Sequence, residues 1–248
     1  MSINQLKKKI SHYFDKIDFN KSLIIIAGPT GIGKSKFAVK LAKEINGIII
    51  NSDSMQVYKN LKIISSQPTF EDMKGIKHFL YGFKDINEDF SVGTWLELVS
   101  KVLNYKEVKN KIPILVGGTG LYLNVIHNGL APIPKIDEKI KNNTNNLLHK
   151  IGISEFRERV KRIDPIFFST NNDKQRLIRA YNVYQATGKN LSQWHKSKPK
   201  KIIKRKIYSI LLNAEKIKIY NICDNRFDRF LKEGGLDEVR KIWEQNIN

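Results

Sequence analysis

The sequence predicts an α/β fold: a parallel sheet flanked by helices, with an α-helical insertion late in the chain. Short apolar runs at Leu23 to Ala27, Gly47 to Asn51 and Ile112 to Val116 have the character of strands buried on both faces, as parallel strands are. Segments with apolar residues at helical spacing alternate with them, the pattern of strand–helix–strand units. From Ala131-Pro132-Ile133-Pro134 the character changes. Three helical stretches follow, about 137–150, 154–163 and 173–187, with no convincing strand among them. The expected division is a core over 1–130, a helical insertion over 131–200 and a return to the core over 201–248.

The first strand runs into Gly28-Pro29-Thr30-Gly31-Ile32-Gly33-Lys34-Ser35, which fits G-x-x-x-x-G-K-[ST] at every fixed position. A strand before it and a helical segment after it, Phe37-Ala38-Leu41-Ala42-Ile45, supply the context of a P-loop, so the sheet is expected to be P-loop NTPase-like. Glycines let successive N–H groups converge on an anion, and the helix that starts near Gly33 adds its positive end. Lys34 contributes a cation, and the Ser35 hydroxyl can hold Mg²⁺. The motif leaves open which phosphate is cradled.

The second strand delivers Ser52-Asp53-Ser54-Met55-Gln56-Val57-Tyr58 to the carboxyl edge of the sheet, where open parallel sheets bind ligands. Asp53 there suits a general base or a magnesium partner, and its spacing equally allows a turn or helix-capping aspartate. Residues 61–75 read as loop and short helix, broken at Gln67-Pro68-Thr69. His78 to Phe83 reads as a short β-like segment whose lone histidine has a structural reading. Ser91 caps a helix expected to reach about Lys109, with Trp95, Leu98, Val99 and Val102 on one face. The strand Ile112 to Val116 ends in Gly117-Gly118-Thr119-Gly120, placing a hydroxyl at the same edge, and Thr119 is either a site residue or a helix cap.

Within the insertion, Asp173 opens a helix with Arg176 and Arg179 three apart on one face, able to grip phosphates or to form a solvated charged face. A basic run, Lys196 to Lys206, precedes a last strand at Ile207 to Leu212. Helices follow at about 214–232 and 236–245, separated by Gly234-Gly235.

The chain carries 44 Lys+Arg against 24 Asp+Glu, a formal net charge of +20, which points to a polyanionic partner such as nucleic acid. Its joint richness in Lys, Ile and Asn, the mark of AT-biased coding, accounts for part of that excess. No apolar run reaches the length of a membrane span, and Met1 to Asp18 is a lysine-bearing amphipathic stretch without a signal-peptide segment, so a cytoplasmic, monomeric protein is expected. The single Cys223 excludes an internal disulfide and has no ligand cluster around it, so its reading is small apolar filler on a helix.

Taken together, Gly28 to Ser35, Ser52-Asp53-Ser54-Met55-Gln56-Val57-Tyr58, Pro113-Ile114-Leu115-Val116-Gly117-Gly118-Thr119-Gly120-Leu121-Tyr122 and Asp173-Lys174-Gln175-Arg176-Leu177-Ile178-Arg179-Ala180 resemble the tRNA dimethylallyltransferases. The resemblance spans about Leu23 to Val239. It implies transfer of a dimethylallyl group from dimethylallyl diphosphate to the exocyclic N6 of the adenosine just 3′ of the anticodon in tRNA. It further implies that the cradle, Gly28, Pro29, Thr30, Gly31, Ile32, Gly33, Lys34 and Ser35, holds the donor diphosphate, with Mg²⁺ at Ser35 and Arg226 as an added contact. Asp53 would be the base, and Thr119 would hold the donor or Asp53 in place. Asp53, Ser54, Met55, Gln56 and Thr119 would meet a flipped adenine in a crevice between core and helical lobe. Lys141, Gln175, Arg176, Leu177, Ile178 and Arg179 would contact tRNA.

Two departures from the family pattern stand out. The last helix usually carries a paired R-I-x-x-R; here Ile222 occupies the first arginine position, Arg226 keeps the second, and Gly235-Leu236-Asp237-Glu238-Val239 follows. The sequence also stops before the family's G-Y-K-E-like and K-R-Q-x-T-W-like segments, so a shortened C-terminus with weakened activity is expected. A P-loop nucleotide or small-molecule kinase would share the cradle and Mg²⁺, and a tRNA-binding protein without turnover would share the basic lobe. Prenylation of free adenine nucleotides is the nearer variant, against which the basic lobe counts.

Overall fold

A computed structural model describes residue 18, residues 21–171 and residues 173–245. The amphipathic stretch preceding Asp18, and the last residues of the chain, lie outside the described residues. The chain divides into two compact units, one of residues 1–127 with 201–248, the other of residues 128–200.

Among the described residues, the first unit is built on five parallel strands in the order β3-β2-β4-β1-β5. These are β1 (Ser22–Ala27), β2 (Gly47–Asn51), β3 (His78–Phe79), β4 (Ile112–Val116) and β5 (Lys206–Leu211). In register, Ile25 lies opposite Leu115 and Ser209, and Ile50 opposite Leu115 on the far side. Every residue of β2 and β4 and all but the last of β1 are buried, as their apolar runs require. Alternation of side chains divides them between two faces. Ile24, Ile26, Ile49, Ile112, Ile114 and Val116 pack with Ala38, Val39, Leu41 and Ala42 of helix α1 (Lys34–Glu44). Leu23, Ile25, Ile48, Ile50 and Leu115, of opposite parity, are buried as completely.

Between β2 and β4 come the short helix α2 (Phe70–Met73), capped by Thr69, and α3 (Val92–Leu103), capped by Ser91 as expected. Helix α3 stops well short of Lys109: Asn104 ends it, and a 3₁₀ turn at Lys106–Val108 buries Val108 instead. Helix α4 (Gly120–Asn128) follows β4. The β-like segment around His78 is shorter than expected, with only His78 and Phe79 in the sheet.

The second unit is helical: α5 (Glu138–Ile163), α6 (Pro165–Thr170), α7 (Lys174–Thr187) and α8 (Leu191–Lys196). The first two expected helices are both present within α5, meeting at a kink at Gly152, whose φ of 76° and ψ of 168° are not helical. Phe156, Val160, Leu177, Ala180 and Val183 form its core with Ile136, Leu148 and Leu191. Asp164 is 1% exposed and ties that core together, accepting the Phe167 N–H at 3.1 Å and the Ser192 N–H at 2.8 Å.

After β5 the first unit closes with α9 (Lys216–Lys232) and α10 (Gly235–Glu244). Among the described residues no helix is long and apolar enough to cross a membrane.

Candidate active site

The cradle begins where β1 gives out. Gly28 has a φ of 152° and Gly31 of 76°, conformations that side chains disfavour. Space is equally restrictive. A Cβ on Gly28 would lie 2.3 Å from the Leu212 carbonyl oxygen, and one on Gly31 would lie 2.6 Å from Ile222 Cγ2. The position at which the family resemblance expects an arginine therefore presents a methyl group to the tip of the cradle.

Two cations converge on this loop. The Lys34 ammonium folds back onto it, donating to the carbonyls of Gly28 at 3.0 Å and Pro29 at 2.8 Å. Arg226, on α9, donates to the Thr30 hydroxyl and, through Nε, to the Ser66 hydroxyl at 3.1 Å. Its guanidinium also lies 5.0 Å from the Phe230 ring centroid. Burial pushes Lys34 below the usual lysine range; Asp53 opposes that fall and Arg226 adds to it. Arg226 is lowered in the same way, by burial first, then by Arg229, with Asp53 again opposing. Two partly desolvated cations, the lysine further depressed by the arginine, form beside a glycine loop a site whose charge an anion would balance.

Asp53 belongs to this cluster, since its charge is felt by both cations. Its backbone is held from both sides by the fully buried Asn51, which accepts the Asp53 N–H at 2.8 Å and donates to the Asp53 carbonyl at 2.9 Å and the Leu80 carbonyl at 3.0 Å. The Asp53 carboxylate in turn accepts the Met55 N–H at 2.9 Å. The Asn51 carbonyl is taken by Trp95 Nε1–H at 2.9 Å, and the Trp95 ring stacks on Tyr122 at 4.3 Å. The Tyr122 hydroxyl is pushed up to about 12 by burial and the nearby Tyr58 and Asp53. Burial and Asp53 likewise raise the half-buried Tyr81.

Thr119 reaches across from the end of β4: its hydroxyl accepts the Ser54 N–H at 3.0 Å and lies 3.4 Å from the Ser54 hydroxyl. Gly118 touches the cradle itself, where a Cβ would lie 3.4 Å from the Gly28 carbonyl and 3.7 Å from Lys34 Nζ. Ser35 is exposed on the first turn of α1. Met55 is 49% exposed, whereas the Gln56 amide donates to the carbonyls of Ser65 at 2.9 Å and Ser66 at 2.8 Å.

In the helical unit, Gln175, Arg176 and Arg179 are exposed on α7, and Arg176 donates to the Asn171 side chain at 2.7 Å. Lys141 pairs with Glu138 at 2.6 Å. Leu177 differs from the expectation of tRNA contact: its side chain is 0% exposed in the core, and Ile178 packs against that core. On a helix, residues between two exposed arginines turn inward, and these two do.

Reading the sequence missed Asn51, Trp95 as a hydrogen-bond donor, and Ser66. For Asn51 the signal was present, because Asn at the end of a strand two residues before Asp favours a side-chain-to-backbone turn. His78 has the structural role expected of it, its Nδ1 lying 2.8 Å from the Ile76 carbonyl.

Comparison with known proteins agrees with this geometry. The family model described as IPP transferase matches residues 56–248. The chain is 40% identical over 233 residues to the tRNA dimethylallyltransferase of Pelagibacter ubique, covering 93% of this chain and 74% of that protein. It is 41% identical over 228 residues to the tRNA dimethylallyltransferase of Rickettsia conorii, spanning 91% of this chain and 63% of that one. Among solved structures, the full-length tRNA isopentenylpyrophosphate transferase of Bacillus halodurans matches with a TM-score of 0.62 and 31% identity, over 92% of this chain and 72% of its own. A eukaryotic dimethylallyltransferase acting on tRNA matches with a TM-score of 0.75 and 28% identity, over 92% of this chain and 57% of its own. With a family model matched over most of its length and a relative at this identity, the chain belongs to the IPP transferase family.

Proposed function

We infer that this chain transfers a dimethylallyl group from dimethylallyl diphosphate to the exocyclic N6 of the adenosine 3′ of the tRNA anticodon. The observation that carries the reading is the carboxylate of Asp53 set beside a glycine cradle on which two desolvated cations, Lys34 and Arg226, converge. A kinase needs the cradle too, but the relatives that share this chain's sequence over nearly its whole length are dimethylallyltransferases.

The exocyclic amine of adenine is a weak nucleophile, and diphosphate leaves an allylic carbon only if its growing charge is met. The cradle amides, Lys34 and Arg226 meet that charge. Asp53 takes the proton from N6 as the N–C bond forms, while the C–O bond breaks and its electron pair departs with diphosphate. Asn51 and Thr119 fix the backbone on either side of Asp53, so the carboxylate is held before substrate arrives. The exposed Ser35 hydroxyl at the cradle suits Mg²⁺, which keeps most of its waters and needs few protein ligands. The ion would neutralise the diphosphate there. Exposed Arg176 and Arg179 suit phosphate contacts on tRNA, as does the net charge of +20. A monomer acting in the cytoplasm is the assembly and compartment we propose.

The test is incubation with dimethylallyl diphosphate, Mg²⁺ and unmodified tRNA, followed by mass spectrometry for isopentenyladenosine. Wild type should form product and Asp53→Ala should be slower by about 10²–10⁴-fold, the usual contribution of a positioned base. ATP turnover without prenyl transfer would overturn the reading in favour of a kinase.

A further inference from the structure

We propose that Glu238 is a positioning residue of the diphosphate site, holding the loop of residues 62–66 in the shape that aims Arg226 at the cradle. The proposal rests on the reading of Arg226 as a diphosphate contact. Three consecutive amides of that loop donate to the Glu238 carboxylate: Lys62 N–H at 2.6 Å and Ile63 N–H at 2.9 Å to Oε1, then Ile63 at 3.1 Å and Ile64 at 3.1 Å to Oε2. Consecutive N–H groups aimed one way are what a helix start presents, and here a carboxylate 174 to 176 positions away caps them. Bonds to an ionised acceptor are the stronger kind.

The loop so held carries Arg226. The Ser66 N–H donates to the Ile63 carbonyl and the Gln67 N–H to the Lys62 carbonyl, both at 2.9 Å, which closes the turn. Ser66 then sits at a φ of 52°, a region that serine adopts only when its surroundings impose it. In that pose its hydroxyl accepts Arg226 Nε–H, and its carbonyl accepts the Gln56 amide. Helices α9 and α10 therefore meet the loop at two points, through Arg226 and through Glu238. Buried Gly235 seats the second helix close by: a Cβ there would lie 3.2 Å from Ile64 Cγ2. Without the Glu238 carboxylate, nothing charged holds amides 62–64, Ser66 is released from its imposed backbone, and Arg226 keeps only the Thr30 hydroxyl and the Phe230 ring of the three partners that direct it.

The experiment measures binding of inorganic pyrophosphate with Mg²⁺ to the full chain by calorimetry, in a cycle of wild type, Glu238→Ala, Arg226→Ala and the double variant. Glu238→Ala should bind about tenfold more weakly, in the range found when a partner that orients a ligand-binding group is removed. In the Arg226→Ala background the same change should cost little, because a residue that acts through Arg226 has nothing left to position. Undiminished affinity in Glu238→Ala, or a loss fully additive with Arg226→Ala, would overturn the proposal. If Glu238→Ala does not fold, Glu238→Gln, which keeps the length and one acceptor oxygen, replaces it in the cycle under the same criteria. Prenyl transfer to tRNA, assayed in parallel, reads the transferase function separately. A coupled pyrophosphate result in a chain that transfers nothing would support the positioning role and refute the transferase reading.

Discussion

Gly117→Ala is a one-carbon change predicted to disable the site while leaving its chemical groups in place. Gly117 sits where β4 passes the end of β2. A Cβ there would lie 2.0 Å from the Ser52 carbonyl oxygen, 2.2 Å from the Ser52 carbonyl carbon and 2.8 Å from the Asp53 nitrogen. All three are backbone atoms, so no side-chain rotation relieves the overlap. Restoring an ordinary separation of 3.4 Å from the oxygen requires the two strand ends to part by 1.4 Å, the difference between 3.4 and 2.0. Overpacking of this kind costs about 1–3 kcal/mol, and contact with backbone places it at the upper end. The moving atoms carry Asp53, so the proposed base is displaced by more than 1 Å, a misplacement that should slow catalysis by about 10²-fold. Gly118→Ala is the control. Its Cβ would meet the Gly28 carbonyl at 3.4 Å and Lys34 Nζ at 3.7 Å, both ordinary contacts, and its activity should stay near wild type. Single-turnover transfer to tRNA with saturating donor, beside a thermal melt, reads both quantities. Wild-type turnover in Gly117→Ala, or equal losses in the two variants, would refute the reasoning.

Three further outcomes are expected. Trp95→Phe keeps a ring against Tyr122 but strands the buried Asn51 carbonyl that now accepts Nε1–H at 2.9 Å, costing about 1–3 kcal/mol and lowering the melting temperature by several degrees in calorimetry. Asp164→Ala removes the acceptor of two amides in the core of the helical unit, so hydrogen exchange should speed up across residues 128–200, at a cost of about 2 kcal/mol. His78 has its pKa lowered by burial, so the unfolded chain binds the extra proton first as pH falls. Stability should therefore drop as pH falls below the unperturbed histidine value toward the lower folded one, and denaturant titrations of His78→Gln should show a smaller drop over that window.

What was legible in the sequence follows from how far apart the interacting residues lie. The strands and the cradle rest on local pattern: unbroken apolar runs make buried strands, and Gly28 to Ser35 carries its geometry within itself. The pose of Asp53 is nearly as local. Asn51 two residues before it and Met55 two residues after it hold it, so its position at the strand end could be read and only its partners were missed. Helix ends were less legible, because tertiary burial competes with propensity. Val108 enters the core in a 3₁₀ turn where helical spacing alone would have continued α3 to Lys109. Residue-by-residue transfer of a motif failed at Leu177, since a motif names consecutive positions while a helix exposes only some of them. The least legible contacts are those that complete the proposed diphosphate site. Arg226 is 160 positions from Ser66 and 196 from Thr30, and Glu238 is 174 to 176 from the amides it caps. No spacing rule links such pairs, because the intervening chain sets their meeting only by folding. Thus the part of the site that performs chemistry is encoded locally, at strand ends. The part proposed to aim charge at a leaving diphosphate is assembled by the last two helices, and substitutions there should alter binding of diphosphate before they alter the handling of the proton.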